Sequence, residues 1–327
     1  MIPLDDELSG LEVSQPQHFR SLSMSPLFRR TITSAEELKY TLLDDAIAAG
    51  TACVSELHES GSVPELHFEN RGDRPVLLLD GQELIGAKQN RVLNLTILAP
   101  AKSTVVIPVS CVEAGRWRMA GSHFKPADHV MYSRVRASRA AQVTDSMRST
   151  GLRRSDQSAV WADIEAKAER LNASSPTSAM SAIYDRNAIT VEQYTRAFSW
   201  QPGQCGVVFA IASGVTGLDL FDHPETMRYY FSRLIRSYAL DALDSVQGEQ
   251  GEHANAKRGL EFLKRVASAQ SFAEPAVGLG KDVRLTSEGI AGAALWAENR
   301  YVHLCAFTTD INHAFESRIS RPSRRRR

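Results

Sequence analysis

Short β-branched runs separated by turn residues fill the first third of the chain after residue 50. The densest apolar stretch runs from Arg74 to Trp117, RPVLLLDGQELIGAKQNRVLNLTILAPAKSTVVIPVSCVEAGRW. Within it, Val76 to Leu79, Val92 to Leu98 and Ser103 to Val109 have the length and flanking turn residues of strands. Upstream, Thr51 to Leu57 and Glu65 to Asn70 alternate apolar with polar, with ESGSVP and NRGDRP as turns. Consecutive strands on short turns predict an antiparallel sheet or sandwich over residues 35–125. Ser34 and Gly50 bracket a helix through EELKYTLLDDAIAAG as cap and stop. Residues 1–34, with scattered Ser and Pro, predict an irregular segment.

The periodicity changes after about Ala127. SRVRASRAAQVTDSMRSTG is Arg-rich and helical in composition without a strong apolar face. In the next helix Val160, Trp161, Ile164, Ala168 and Leu171 recur at three- and four-residue steps, with Ser155 as its cap. SSPTSAMSAIYDR and ITVEQYTRAF predict two more helices, the first with Pro176 in its opening turn. GVVFAI and VTGLDLF predict a hairpin turning at Ser213-Gly214. A helix from His223-Pro224 to about Leu243 presents Met227, Phe231, Leu234, Ile235, Tyr238, Ala239 and Ala242 on one face. A solvated linker, EQGEHANA, leads into the helix AKRGLEFLKRVASA, and three strands close the fold. The predicted class is α+β: an N-terminal antiparallel sheet or sandwich, a helical middle, and a C-terminal antiparallel sheet with two long helices. The expected division is 35–125 as a β-rich domain and 126–312 as an α+β domain, followed by a basic tail at 313–327. GLGKD lacks the third glycine and the following helix of a dinucleotide fingerprint, so a Rossmann fold is excluded.

Composition narrows the function classes. The formal net charge is zero, so no global bias toward nucleic acid or an anionic membrane exists. The terminal RPSRRRR is locally basic, as a solvated tail or a nonspecific contact for an anionic partner. No apolar run approaches the ~20 residues of a membrane span. MIPLDDELSG lacks the basic and apolar regions of a signal peptide. Cys53, Cys111, Cys205 and Cys305 are far apart, each in an apolar strand-like run, which predicts reduced thiols in a cytoplasmic protein. No Cys/His spacing suits zinc, and no motif names a cofactor.

Candidate chemistry concentrates between Asp80 and Arg91. Lys88 and Arg91 are suited to an anion, Gln89 and Asn90 to a carbonyl, amide or ribose hydroxyl, and Glu83 to a base or hydroxyl acceptor. The competing reading is a solvated connection whose charges pair with one another. Cys111 at a strand end is a nucleophile if a neighbouring base or cation lowers its pKa, or simply a buried strand cysteine. Glu113 follows it as a further acid candidate. Arg116-Trp117 suits stacking on a flat ligand, or a structural Arg over a core Trp. Arg154, with Arg153 at a helix start, suits a phosphate or carboxylate, or flanks an ordinary cap. Asp219 is either solvent-facing or a buried acid with a partner, Asp222 reads as the cap of the following helix, and His303 as a satisfied sheet histidine.

Five segments together carry a resemblance: RPVLLLDGQELIGAKQNRVLN, VIPVSCVEAGRW, RRSDQSAVW, GLDLFDHPETMRYYFSRLIRSYALDAL and GIAGAALW with VHLCAF. In this order they resemble a bacterial family named for its association with ADP-ribosylglycohydrolases and rhodanese-like phosphatases. The resemblance spans roughly residues 35–310 and implies a link to ADP-ribose- or NAD-derived molecules, without a catalytic mechanism. The expected function is binding, with possible hydrolytic processing, of an anionic ligand of that class. Lys88 and Arg91 would hold its phosphates, Trp117 its base, and Glu83 or Glu113 its ribose hydroxyls, with Arg116 and Arg154 as further contacts. The alternative is a noncatalytic module that docks a partner enzyme.

Overall fold

The computed structural model describes residues 4–30, 37–58, 63–118, 121–245 and 253–309. Ser34, the first half of the 249–256 linker and the basic tail lie outside the described residues. The chain begins with α1 (Leu4–Ser9), β1 (Leu11–Val13), β2 (Gln17–Phe19) and β3 (Leu22–Arg29). Next come β4 (Thr41–Leu42), α2 (Leu43–Ala48), β5 (Ala52–Glu56) and β6 (Glu65–Asn70). The central stretch holds β7 (Val76–Leu78), β8 (Gln82–Gly86), β9 (Arg91–Leu93), β10 (Ile97–Ala99), β11 (Ser103–Cys111) and β12 (Phe124–Val130). Four helices follow: α3 (Ser133–Thr150), α4 (Gln157–Arg170), α5 (Ser181–Arg186) and α6 (Ala188–Ala197). Then come β13 (Gly206–Ile211), β14 (Gly214–Phe221), α7 (Pro224–Asp244) and α8 (Ala256–Ala267). The last strands are β15 (Gln270–Pro275), β16 (Lys281–Ser287), β17 (Ile290–Ala297) and β18 (Arg300–Thr308).

These elements make an α+β fold with three sheets. A six-stranded sheet runs β12-β8-β9-β11-β6-β5, and a three-stranded one runs β10-β7-β4. The largest runs β1-β3-β13-β14-β18-β17-β16-β15, with β2 added on β3. All pairings are antiparallel except β4 with β7. The six-stranded sheet curls until its end strands meet, with Cys53 Sγ on β5 lying 3.1 Å from His123 Nδ1 beside β12. Its concave side holds Val54, Leu66, Phe68, Leu84, Leu93, Ile107, Val109 and Phe124 as one apolar cluster. Helix α7 fills the space against the large sheet. All seven residues expected on its apolar face are buried, including Met227, Leu234 and Tyr238.

Several local expectations change. Residues 4–30 are not irregular: β3 lies inside the large sheet, with Leu22 opposite Ile211 and Leu27 opposite Gly206. Its serines suggest a loop because they are small and polar, yet Ser25 is buried under α8. There, a Cβ on Gly259 would sit 3.1 Å from Val13 and 4.0 Å from Ser25. Small residues on both sides let the helix approach closely. The predicted helix before Gly50 begins only at Leu43, because Thr41 and Leu42 pair with β7. The expected boundary near 125 falls inside β12, which pairs with β8 from Phe124 to Val130. The cap of α4 is Asp156, not Ser155, and the cap of α7 is His223, not Asp222. Asp222 instead accepts the Tyr40 hydroxyl at 2.6 Å. Pro176 lies in a turn ahead of α5 rather than in its first turn.

A buried ion cluster joins the curled sheet to the large one. From α3, the Arg136 guanidinium meets both oxygens of Asp219 at 2.6 and 3.2 Å and donates through Nε to Asp80 at 3.1 Å. Arg139 donates to the other Asp80 oxygen at 2.7 Å and to the Leu93 carbonyl at 2.6 Å. His303 stands between Asp219 and Thr96, 3.2 and 2.7 Å away. Burial works against ionising Asp219, but Arg136 and His303 hold its carboxyl below the usual range. Gly81 is pressed against this cluster; with φ of +78°, a Cβ there would lie 3.0 Å from Arg136. Among the described residues, no helix is long and apolar enough to cross a membrane.

Candidate functional site

Four strand ends meet at one mouth of the curled sheet. These are Glu56 at the end of β5, the 87–90 turn between β8 and β9, Cys111 at the end of β11, and Phe124 at the start of β12. Cys111 lies opposite Arg91 and Gly86 opposite Phe124, and the Lys88 N–H donates to Glu56 at 3.2 Å, tying β5 to the turn. Barrel mouths are favoured positions for ligand sites, because a rigid wall there presents loop side chains toward one volume. Gly86 makes the closure possible: its φ is +140°, and a Cβ would stand 2.6 Å from the His123 carbonyl oxygen.

The turn sends most of its polar groups inward. Gln89 accepts from Arg91 Nη1 at 3.2 Å and from the Cys111 thiol at 3.2 Å, and donates to the Glu113 carbonyl at 3.0 Å. The Asn90 side chain donates to Glu83 at 3.2 Å and accepts from Arg116 Nη2 at 2.9 Å and the Gly86 N–H at 3.3 Å. Glu113 receives the Asn90 N–H at 3.1 Å, Arg116 Nε at 2.8 Å and the Thr177 hydroxyl at 2.8 Å. Burial opposes ionisation of Glu113, but Arg116, Thr177 and Asn90 hold it below the carboxylate range, which makes it a weak base. Arg116 also donates to the Ala87 carbonyl at 2.7 Å, so it pins the turn from above.

Arg91 is different. Its side chain is fully buried, and Nη1 donates to the Gln89 carbonyl at 3.0 Å. Nε and Nη2 have no hydrogen-bond partner among the described residues. Burial holds the guanidinium below its ordinary range, against the attraction of nearby Glu56 and Glu113. Trp117 covers it: the ring centre lies 6.0 Å from the Arg91 guanidinium carbon and 5.4 Å from Lys88 Nζ, and the indole is 52% exposed. Burial pushes the Cys111 thiol up, away from the thiolate a nucleophile requires.

Behind the turn, a polar chain leads to a cavity. Glu83 is fully buried and lies 2.6 Å from His129 Nε2, and His129 Nδ1 is 3.4 Å from Asp128. Burial disfavours a charged His129, yet its hydrogen bonds to the Asp128 and Glu83 carboxylates outweigh it and raise its pKa to about 9. The imidazole stacks on Tyr184 with ring centres 3.9 Å apart. Both rings line a cavity of about 680 Å³ bordered by Ile85, Asp128, Ile189 and Glu192.

A family model described as ARPP-1, ARG and Rhodanese-Phosphatase-superfamily-associated Protein domain, matches residues 10–307. The chain belongs to this family. The matched span begins just before β1 and ends within β18, so the ARPP-1 domain includes all three sheets and the curled mouth. The family is associated with ADP-ribosylglycohydrolase and rhodanese-like phosphatase. No curated protein and no solved structure gives a significant match.

Within this ARPP-1 domain, Lys88, Gln89, Asn90, Arg91, Cys111, Glu113, Arg116 and Trp117 come together at the mouth. Glu83 reaches it only through Asn90 and faces His129 instead. Arg154 is exposed, and its neighbour Arg153 takes the buried contact, donating to Asp282 at 3.2 Å. Sequence reasoning missed Glu56 and His129. Glu56 follows Ala52 and Val54 on the buried face of β5 as its last residue, a polar side chain in an apolar register. His129 follows Asp128 in a strand whose pairing was not foreseen.

Proposed function

We propose that the protein binds an anionic nucleotide-type ligand of the ADP-ribose or NAD class at the mouth of the curled sheet. The carrying observation is Arg91: a buried guanidinium with two unpartnered nitrogens and no carboxylate in contact. Leaving buried donors unpaired costs on the order of 1–3 kcal/mol, more for a charged group. A phosphate oxygen reaching Nε and Nη2 removes that cost and gains a charge-assisted, bidentate contact. Lys88 adds a second cation, and Trp117, displaced outward, offers its face to a base. Binding is better supported than hydrolysis, because Glu113 is tied by three donors and the Cys111 thiol is held up. Thermal-shift and calorimetric titration with ADP-ribose and NAD test this reading. Binding by the native protein that is lost in Arg91→Met and weakened in Trp117→Ala supports it. No response to either nucleotide at millimolar concentration ends it.

The second reading, a module that docks a partner enzyme, draws on Ile189 and Ile85, which are 82% and 40% exposed beside the Tyr184 cavity. Single exposed apolar residues are common on monomers, so the pair is weaker support than an orphaned buried cation. Co-purification of one defined enzyme that is lost in Ile189→Asp, with no nucleotide response, favours docking.

A further inference from the structure

The cavity of about 680 Å³ beside His129 is walled by β8, β12, α5, α6 and α7. That volume lies within the range of small-molecule sites. Its floor is fixed: the Tyr184 hydroxyl donates to the Val130 carbonyl at 2.7 Å, and the ring stacks on His129. Ile85 and Ile189 line the same volume and stay exposed. Three carboxylates line it as well, Asp128, Asp185 and Glu192. Arg236 pairs with Asp128 and lies 3.4 Å from Glu192, which also takes the exposed Arg196 at 2.9 Å. His129 is matched by Glu83 at 2.6 Å and lies 3.4 Å from Asp128. Glu83 included, four carboxylates thus meet three cations. Asp185 is the one left over, with no cation in ion-pair contact among the described residues.

The lining therefore combines exposed apolar side chains with a surplus of negative charge. An anion is repelled by Asp185. A bare metal ion finds no cluster of three ligating side chains among the described residues and leaves the isoleucines in water. A neutral apolar molecule covers the isoleucines but gives Asp185 no counter-charge. We propose that this cavity binds an amphipathic organic cation, an alkyl chain that ends in an ammonium or guanidinium group. The chain lies over Tyr184 between Ile85 and Ile189, where its burial from water drives binding. The cation meets Asp185. This site is separate from the anion site at the mouth and does not depend on it. It gives Ile85 and Ile189 a small occupant where the docking reading gives them a partner enzyme. A free amine and the basic side chain of a peptide share the chemistry.

Isoleucine δ1-methyl NMR titrations of the full chain read this site directly, with Ile85→Val and Ile189→Val assigning the two signals. n-Hexylamine is expected to shift both methyls saturably. It should bind roughly fivefold more tightly than n-hexanol, the worth of one partly exposed charge pair, and hexanoate should bind more weakly than either. Asp185→Asn removes the charge of an exposed side chain, and its melting temperature checks that the fold is kept. This variant should bring hexylamine down to the level of hexanol, whereas Ile189→Ser should weaken both. The peptide acetyl-leucyl-lysine amide separates the two sources. Tighter binding than hexylamine points to a peptide side chain and weaker binding to a free amine, and either supports the cation site. Hexanol binding as tightly as hexylamine, or an unchanged preference in Asp185→Asn, overturns the role of charge. No shift of either methyl at millimolar hexylamine overturns the site itself. The nucleotide titrations at the mouth are untouched by either result.

Discussion

Replacing Asp219 by Asn removes one charge from the cluster of Arg136, Arg139, Asp80 and Asp219 while keeping the shape of the side chain. In the native protein the two guanidinium and two carboxylate charges balance, and the Arg136 and Asp219 side chains are fully buried. The variant leaves one positive charge uncompensated where water cannot reach it. Breaking a buried pair in this way costs about 3–5 kcal/mol. With a urea m-value of about 3 kcal/mol/M for a chain of this size, the unfolding midpoint should fall by roughly 1–1.7 M. The double variant Arg136→Met with Asp219→Leu leaves Arg139 paired to Asp80, and should be less damaging than either single change. Glu225→Gln, which breaks an exposed pair with Arg228, serves as the control and should cost less than about 1 kcal/mol. A midpoint for Asp219→Asn within about 0.3 M of native would refute the claim that this cluster holds the two sheets together.

His129 gives a pH signature. Its folded pKa, raised to about 9, exceeds the unfolded value of 6.5, so its contribution is complete below pH 6.5 and is lost as pH climbs through 9. Stability should decline across that window by about 3 kcal/mol at most, and His129→Gln should flatten the slope; an unchanged slope in the variant contradicts the assignment. Arg91→Met should leave the ligand-free protein as stable or up to about 2 kcal/mol more stable in urea titration. A loss larger than that marks Arg91 as a structural group rather than a binding one. Gly217→Ala would place a methyl 2.6 Å from the Tyr238 hydroxyl and 2.8 Å from Phe307. It should lower stability by about 1–3 kcal/mol or more, and a neutral result in thermal unfolding would show that α7 can shift. Cys111→Ala should leave nucleotide binding intact, and native Cys111 should resist alkylation near neutral pH because burial raises its pKa.

The local patterns in the chain reveal which segments are strands and helices, and much less about which partners they find. The β13–β14 hairpin and the buried face of α7 were legible because period and burial agree there. β8 was not: in QELIG the polar Gln82 and Glu83 are fully buried, satisfied by Asp44 at 2.8 Å and His129 at 2.6 Å. Periodicity assigns such residues to solvent, and only tertiary pairing overrides it. The same applies to α3, whose missing apolar face is explained by Arg136 and Arg139 turning inward to carboxylates. The run from Val92 to Leu98 divides into β9 and β10, which serve different sheets, because Asn94 to Thr96 turn aside. At the site, the segment from Asp80 to Arg91 stood out through its density of mixed polar groups. Which of those groups are spent on one another, and which remain unpaired, depends on the curl of the sheet and is invisible in order along the chain.

The placement of β3 has a consequence for how the protein is made. Its neighbour β13 is synthesised only after the whole curled sheet and the helical middle, so Leu22 waits for Ile211. At about 5–20 residues per second the delay is on the order of ten to forty seconds. Throughout it, β3 has only the short strands β1 and β2 beside it. The large sheet therefore closes as a late event of biosynthesis.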